Sequence, residues 1–396
     1  MPFKIEYKVI LYLIFSLSFS NAFSQEEAEE PKEEKQRNWV MNGYLKYLQT
    51  VSYEDINGEW LTNNIIHNRM NFKWYASNSL TAIAEFRNRI FYGETVKTIP
   101  NYADIISRDY GYMDLSFNWI EMESFFIHTI VDRVYLDWAH GNWQVRVGRQ
   151  RINWGQTYVW NPNDVFNAYD FFDFDYEERP GSDAALVRYY TGATSSVEFA
   201  YALGDSTEAT KTVGMVKINK AGYDFQFLGG RVAKDIALGL GWSGQIKSAG
   251  FKGEFTFLRP FKNYSQEFWT MVASISLDYT FKNSLFIQTE AIYNSDGATG
   301  APGQISLFQS LSVRTLSFTR INWLTQVSYP ISPLITAGAA TMYSPNDNSF
   351  FFGPNVDISI TENFYFLLTG QIFKGSAASQ YGPGGTFLFG RFKWSF

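Results

Sequence analysis

The chain has 396 residues, of which 45% are hydrophobic and 18% aromatic (36 Phe, 25 Tyr, 12 Trp), with no Cys and a formal net charge of -6. No basic stripe stands apart from the rest, which excludes an electrostatic footprint for nucleic acid. No stretch beyond the first two dozen residues is apolar for long enough to span a membrane as a helix.

Taken in chain order, Lys4 and Lys8 make a weakly basic start, Val9 to Phe19 is an apolar run, and Ala22-Phe23-Ser24 is a small-x-small site. This pattern predicts a secretory signal peptide over 1–24, too short and wrongly flanked for a span. Residues 25–38 follow as a short acidic arm, with six Glu against Lys32, Lys35 and Arg37. From 39 to 396 the chain reads as one domain of strands at hairpin spacing. The candidates are 39–53, 60–75, 79–93, 130–139, 142–153, 184–192, 195–203, 211–219, 222–231, 235–246, 249–258, 267–281, 284–293, 316–329, 333–343, 351–361, 363–373 and 385–396. That makes eighteen; losing one weak hairpin around 211–231 or 235–258 would leave sixteen. Period-2 rows mark two faces. Ile66, Met70, Phe72 and Trp74 oppose His67, Arg69, Asn71 and Lys73; Val356, Ile358 and Ile360 oppose Asn355, Asp357 and Ser359; Ile321, Trp323 and Val327 oppose Arg320, Asn322, Gln326 and Ser328. The links sort as well. Tight ones rich in Gly, Asn, Ser or Pro alternate with a set that includes four long ones, 94–129, 154–183, 294–315 and 374–384, all at the same end.

In the last segment, Gly385 to Phe396, every second residue from Phe396 back to Leu388 is apolar or Gly, with Arg391, Lys393 and Ser395 between. It resembles the closing strand of an outer-membrane barrel. The fold class expected is therefore all-β: a transmembrane antiparallel β-barrel in the outer membrane of a Gram-negative-type envelope, with short periplasmic turns, long outer loops and the acidic arm in the periplasm. Polar rows must face inward, because Arg or Lys on the lipid side near the midplane costs about 2–4 kcal/mol. An interior of eighteen strands is too wide for wall side chains alone and is expected to hold water.

The segment richest in chemistry is 130–191. Gly148-Arg149-Gln150, Trp154-Gly155 and Asn161-Pro162-Asn163-Asp164-Val165 resemble a module of porin-like and alginate-export-type outer-membrane barrels over about forty residues. The resemblance implies a passive channel that is not an enzyme and carries no cofactor. It also implies outer-membrane lipid and small solutes as partners, and a homotrimer as one assembly.

The residues themselves suggest a charge trap. Arg146 lies between outward Val145 and Val147, and a bulge at Gly148 would keep Arg149 and Arg151 inward too. With Arg69, Arg87, Arg89, Arg133 and Arg188 they would form a basic wall. The loop 154–183 is acidic and aromatic, carrying Asp164, Asp170, Asp173, Asp175, Glu177 and Glu178 among Phe and Tyr. So apolar a loop is expected to fold into the barrel. Carboxylates facing guanidiniums would either sort solutes in a transverse field or neutralise the Arg and pin the loop.

Other readings remain: a dedicated exporter or importer of a polysaccharide or hydrophobic molecule, and a barrel hydrolase using His128 with Ser124 and Glu123. His67, His128 and His140 are not at metal-ligand spacing, and no metal is expected. No Gly-rich loop is followed by the helix that phosphate binding needs.

Overall fold

The computed structural model describes residues 38–396, apart from 110, 169–170, 263–267, 304–310 and 383. The expected signal peptide, 1–24, and the acidic arm up to residue 37 lie outside the described residues. Nineteen strands follow: β1 (Trp39–Tyr53), β2 (Leu61–Tyr75), β3 (Leu80–Gly93), β4 (Ser116–Glu121), β5 (Phe125–His140), β6 (Trp143–Gln150), β7 (Ser182–Tyr190), β8 (Ser196–Ala202), β9 (Lys211–Lys220) and β10 (Tyr223–Val232). Then come β11 (Asp235–Ile246), β12 (Ala249–Pro260), β13 (Thr270–Thr280), β14 (Phe286–Asn294), β15 (Ile321–Ser332), β16 (Ile335–Ser344), β17 (Ser349–Thr361), β18 (Phe364–Lys374) and β19 (Thr386–Ser395).

Eighteen strands pair antiparallel with a neighbour on each side, β3 directly with β5, while β4 pairs antiparallel with β5 alone; β19 closes on β1 from Tyr44↔Ser395 to Tyr53↔Thr386. The ring therefore has eighteen strands. Closure leaves the ring no free edge, so its backbone groups are paired without water.

Side-chain alternation sets which face is which. On β1, Leu45 is exposed outside while Lys46 is 0% exposed inside; on β15, Trp323 is outside and Asn322 inside. The eight links at one end, among them 76–79, 141–142, 221–222 and 362–363, are turns of two to five residues. Gly141 and the pair Ala221-Gly222 take the left-handed backbone that two-residue hairpins require. This is the turn end; both Trp39 and Ser395 lie there. The opposite, loop end carries 94–124, 151–181, 261–269, 295–320 and 375–385.

The long connection expected at 94–129 is partly structured. It holds two short helices, α1 (Glu94–Thr98) and α2 (Tyr102–Ser107), and then β4. β6 stops at Gln150, and β4 continues the wall beside β5 where β6 has left it. Val134 of β5 faces Arg149 of β6, while Ile130, further toward the loop end, faces Ser116 of β4.

The interior is not left to water alone. Ile152, Trp154, Val159, Trp160, Val165 and Phe166 from loop 151–181, joined by Val313, Leu316 and Tyr381, pack on inward Leu186, Met215, Leu258, Leu324 and Phe351. The argument from barrel width holds for wall side chains; here loops supply the missing volume. A second cluster sets Val96, Tyr102 and Ala103 of the helices on Phe91 and Phe126.

The outward face carries a polar row across its early strands. Asn68, Asn88 and Thr129 oppose one another across β2, β3 and β5. Asn88 Nδ2 donates to Asn68 Oδ1 (3.2 Å), Thr129 Oγ1 to Asn88 Oδ1 (2.7 Å) and Trp119 Nε1 to Thr129 Oγ1 (2.9 Å). The groups satisfy each other, as polar atoms facing hydrocarbon must.

Candidate functional site: the loop across the lumen and the walls that hold it

Loop 151–181 leaves the wall after Gln150 and is gripped on two sides. Its first arm wraps two wall carboxylates. Glu254 of β12 accepts the N–H groups of Gln156, Thr157 (2.7 Å) and Asn163 (2.7 Å), and the Thr157 hydroxyl (3.1 Å). Glu290 of β14 accepts the N–H groups of Tyr158 and Val159 (3.1 Å each) and Trp160 (2.6 Å), and the Ser274 hydroxyl (3.0 Å). Six backbone donors thus converge on two buried carboxylates, a concavity of N–H groups filled by protein anions. The Asn163 side chain ties the arm further to Leu240 O (2.9 Å) and the Thr256 hydroxyl (2.8 Å).

The second arm, 171–178, lies against the basic side. Phe172 and Phe174 pack on Phe351, Phe373 and Phe389, and Gln371 Nε2 donates to Phe172 O (2.9 Å). Asp175 meets Lys46 Nζ (2.8 Å), His67 Nδ1 (3.3 Å) and Arg391 Nη1 (3.4 Å). Glu177 meets Arg391 (3.2 Å) and Lys393 (3.0 Å), and Glu178 lies 3.6 Å from Arg69 Nε. The Tyr176 hydroxyl donates to Asp132 (2.7 Å) while its ring lies under the Arg87 guanidinium at 3.6 Å.

Burial would raise the Asp175 carboxyl, but the His67 hydrogen bond and the Lys46 charge outweigh it and hold it well below the usual carboxylate range. Asp164 is the opposite case. Burial pushes its carboxyl up to about 7, and Arg151 across from it only partly counters that.

Most of the expected basic wall does face the lumen. Arg69 bonds to Asp132 and Glu85; Arg89 reaches the His128 ring (3.1 Å) and lies over Phe91; Arg133 donates to the Glu178 carbonyl. Arg146 pairs with Asp137 (2.8 Å), Arg188 with Glu198 (2.8 Å), and Arg151, already in the loop, with Asp164 (3.1 Å). Asp173 is exposed, and Asp170 lies outside the described residues.

Arg149 is a correction. Gly148 takes a positive φ of 124°, yet the register with β5 and β7 runs through it without a shift. Arg149 therefore stands opposite Val134, which is 41% exposed on the outer face, and opposite Asp183. It is itself 2% exposed because the segment before β4 covers it. It bonds to Asp183 (2.8 and 2.9 Å), Asp109 and the Met113 carbonyl. Its chemistry is to fasten the patch of wall that replaces β6. Alternation alone pointed outward; covering backbone, rather than a bulge, makes that tolerable.

Lys46, Arg391 and Lys393 grip the loop but were not among the site residues expected. Their inward row was readable, since Arg391 and Lys393 alternate with the outward residues of β19. Glu254 and Glu290 were missed too, although each is the only acid of its strand and lies on the wet row.

His128 does not support hydrolysis. The Arg89 guanidinium has donors only, so Nδ1 of His128 accepts and Nε2 carries the proton toward Ser116 Oγ at 2.9 Å. Such an imidazole cannot take a proton from that serine, and Ser124 is not its partner. Among the described residues no group of three or more His, Cys, Asp or Glu gathers to hold a metal ion.

Beneath the first arm, a polar cavity of about 490 Å³ opens among the turn-end residues of β7–β11. Trp154 and Gln156 roof it, and Arg188, Glu198, Lys217 and Asp224 line it.

No family model matches the chain, and no curated protein matches it. Solved structures do. The crystal structure of Acinetobacter baumannii OccAB1 is similar with a TM-score of 0.55 at 10% identity, covering 94% of this chain and 98% of that one. Acinetobacter baumannii OccAB2 is similar with a TM-score of 0.56 at 7% identity, covering 90% and 98%. Pseudomonas aeruginosa OccD3 (OpdP) is similar with a TM-score of 0.53 at 8% identity, covering 90% and 91%. With the closed ring of eighteen strands and the loop turned inward, these likenesses identify the fold as that of a porin-like β-barrel.

Proposed function

We propose that the protein is a channel in the outer membrane of a Gram-negative-type envelope, through which small polar or anionic solutes diffuse passively. The turn end faces the periplasm and the loop end the cell exterior. One observation carries the reading: a closed barrel with an apolar outside holds an acidic loop across its lumen against a basic wall. Arg69, Arg87, Arg133, Arg146 and Arg188, with Lys46, Arg391 and Lys393, are its cationic side; Asp175, Glu177 and Glu178 are the loop's answer to it. Pairing at 2.8–3.6 Å supports pinning as the resting role of these charges, which makes the passage narrow and solute-selective rather than open. Single-channel recording of the full chain in planar bilayers tests this. Small conductance with anion preference, enlarged by deleting 171–178, is expected. A barrel that conducts nothing, with or without those residues, would refute the channel.

A further inference from the structure

At the outer rim between β9 and β13 two arginines stand above exposed apolar side chains. Arg231 of β10 and Arg259 of β12 both stand opposite Ile236 of β11, so all three form one row at the loop end. By alternation the row faces outward. Phe227, Leu238 and Leu240, two or four residues nearer the turn end on the same faces, are exposed. With strands about 4.8 Å apart, the two arginines are rooted about 10 Å from each other.

Around them the rim is cationic and low. The β10–β11 link is only Ala233-Lys234, the shortest connection at that end. Exposed Lys234 and Lys262 share Glu208. Arg231 lies over the Phe261 ring (5.1 Å) and Arg259 near Trp269 (5.9 Å). Arg231 is spread toward the rim by its bonds to Ala233 O (2.9 Å) and Thr207 O (3.0 Å). Among the described residues the acid that pairs with this rim is Glu208, and Asp235 is turned to Arg314.

An Arg on the lipid face is tolerated near the headgroups and costly below them. A pair of arginines above an apolar strip matches one kind of ligand: phosphate above, acyl chains below. We propose that this row is a binding site for a phosphate-bearing lipid of the outer leaflet, with Arg231 and Arg259 on the phosphates, Lys234 and Lys262 on the rim, and Phe227, Leu238 and Leu240 along the chains.

The test uses the full chain folded in detergent, with lipid retention read by native mass spectrometry. The probes are bisphosphorylated lipid A, its dephosphorylated form, phosphatidylglycerol and inorganic phosphate. Retention of bisphosphorylated over dephosphorylated lipid by about tenfold or more is expected, lost in R231Q/R259Q and kept in K374Q, whose lysine is outward on β18 and away from the row. Millimolar inorganic phosphate should not displace the lipid. Equal retention with and without phosphates, equal retention by R231Q/R259Q, or displacement by inorganic phosphate would overturn the proposal, the last pointing to a free-anion site. Unchanged conductance certifies that the variant folds. Should R231Q/R259Q fail that check, K234Q/K262Q, altered only at exposed link positions, must show a loss of about threefold for the proposal to stand.

Discussion

The two arms of loop 151–181 are held by opposite chemistry. At 156–163 the loop contributes backbone N–H groups and the wall contributes the anions, Glu254 and Glu290. At 175–178 the loop contributes the anions and the wall the cations. The first grip is buried among apolar side chains and depends little on which side chains the loop carries. The second is ionic, partly wetted and written in the loop's own sequence. The first arm is thus an anchor and the second an adjustable face.

That contrast can be broken most forcefully at the anchor. Glu254→Ala leaves the N–H groups of Gln156, Thr157 and Asn163 without their acceptor, at about 1–3 kcal/mol each if buried and unrelaxed. The largest effect is expected here: a drop in thermal stability together with larger, noisier conductance steps. A normal melting profile and quiet current would mean that the arm does not need its anchor.

The adjustable face should respond more mildly and in selectivity. Asp175→Ala leaves Lys46 and His67 inside without their carboxylate, a cost of about 2–3 kcal/mol once partial wetting is allowed for. Reversal potentials should shift toward anions. An unshifted value would show that ions never pass this face.

Protonation separates the arms next. Asp164 has its carboxyl raised to about 7 by burial, so the neutral form favours the docked loop. That stabilisation is complete below the unfolded value near 4 and is lost as pH rises through about 7. Asp175, held low, stays ionised across the same range. Conductance should therefore be lower at pH 5 than at pH 8, and Asp164→Asn should flatten the dependence. A slope that survives in Asp164→Asn would assign it elsewhere.

The smallest effect is expected from salt. Glu177 is 43% exposed beside Lys393 and Arg391, and such pairs contribute at most about 1 kcal/mol. Raising ionic strength should loosen this corner slightly, read as faster flicker, without moving the first arm. Equal loosening of both arms, followed by site-specific labels, would erase the distinction drawn between them.

Much of the barrel was readable before any coordinates. The rows on β2, β15 and β17, the sorting of tight and long links and the terminal alternation of β19 are local patterns with period two, and a closed sheet must obey them. The site was readable in kind but not in partners. Alternation puts Arg69 or Lys46 on the wet face. It does not say that Lys46 will meet Asp175, 129 residues away.

Residue order along the chain thus determined an eighteen-stranded barrel with its faces, its two ends and a loop too apolar to remain outside. Folding in three dimensions decided the rest: that β4 would take over the wall where β6 departs, that Arg149 would be covered from outside rather than turned inward, and that Glu254 and Glu290 would seize the loop by its backbone. Strand faces follow from the backbone's own repeat. Partners across a lumen are chosen by the path of a loop whose closure joins residues more than a hundred positions apart, and no short-range pattern records that path.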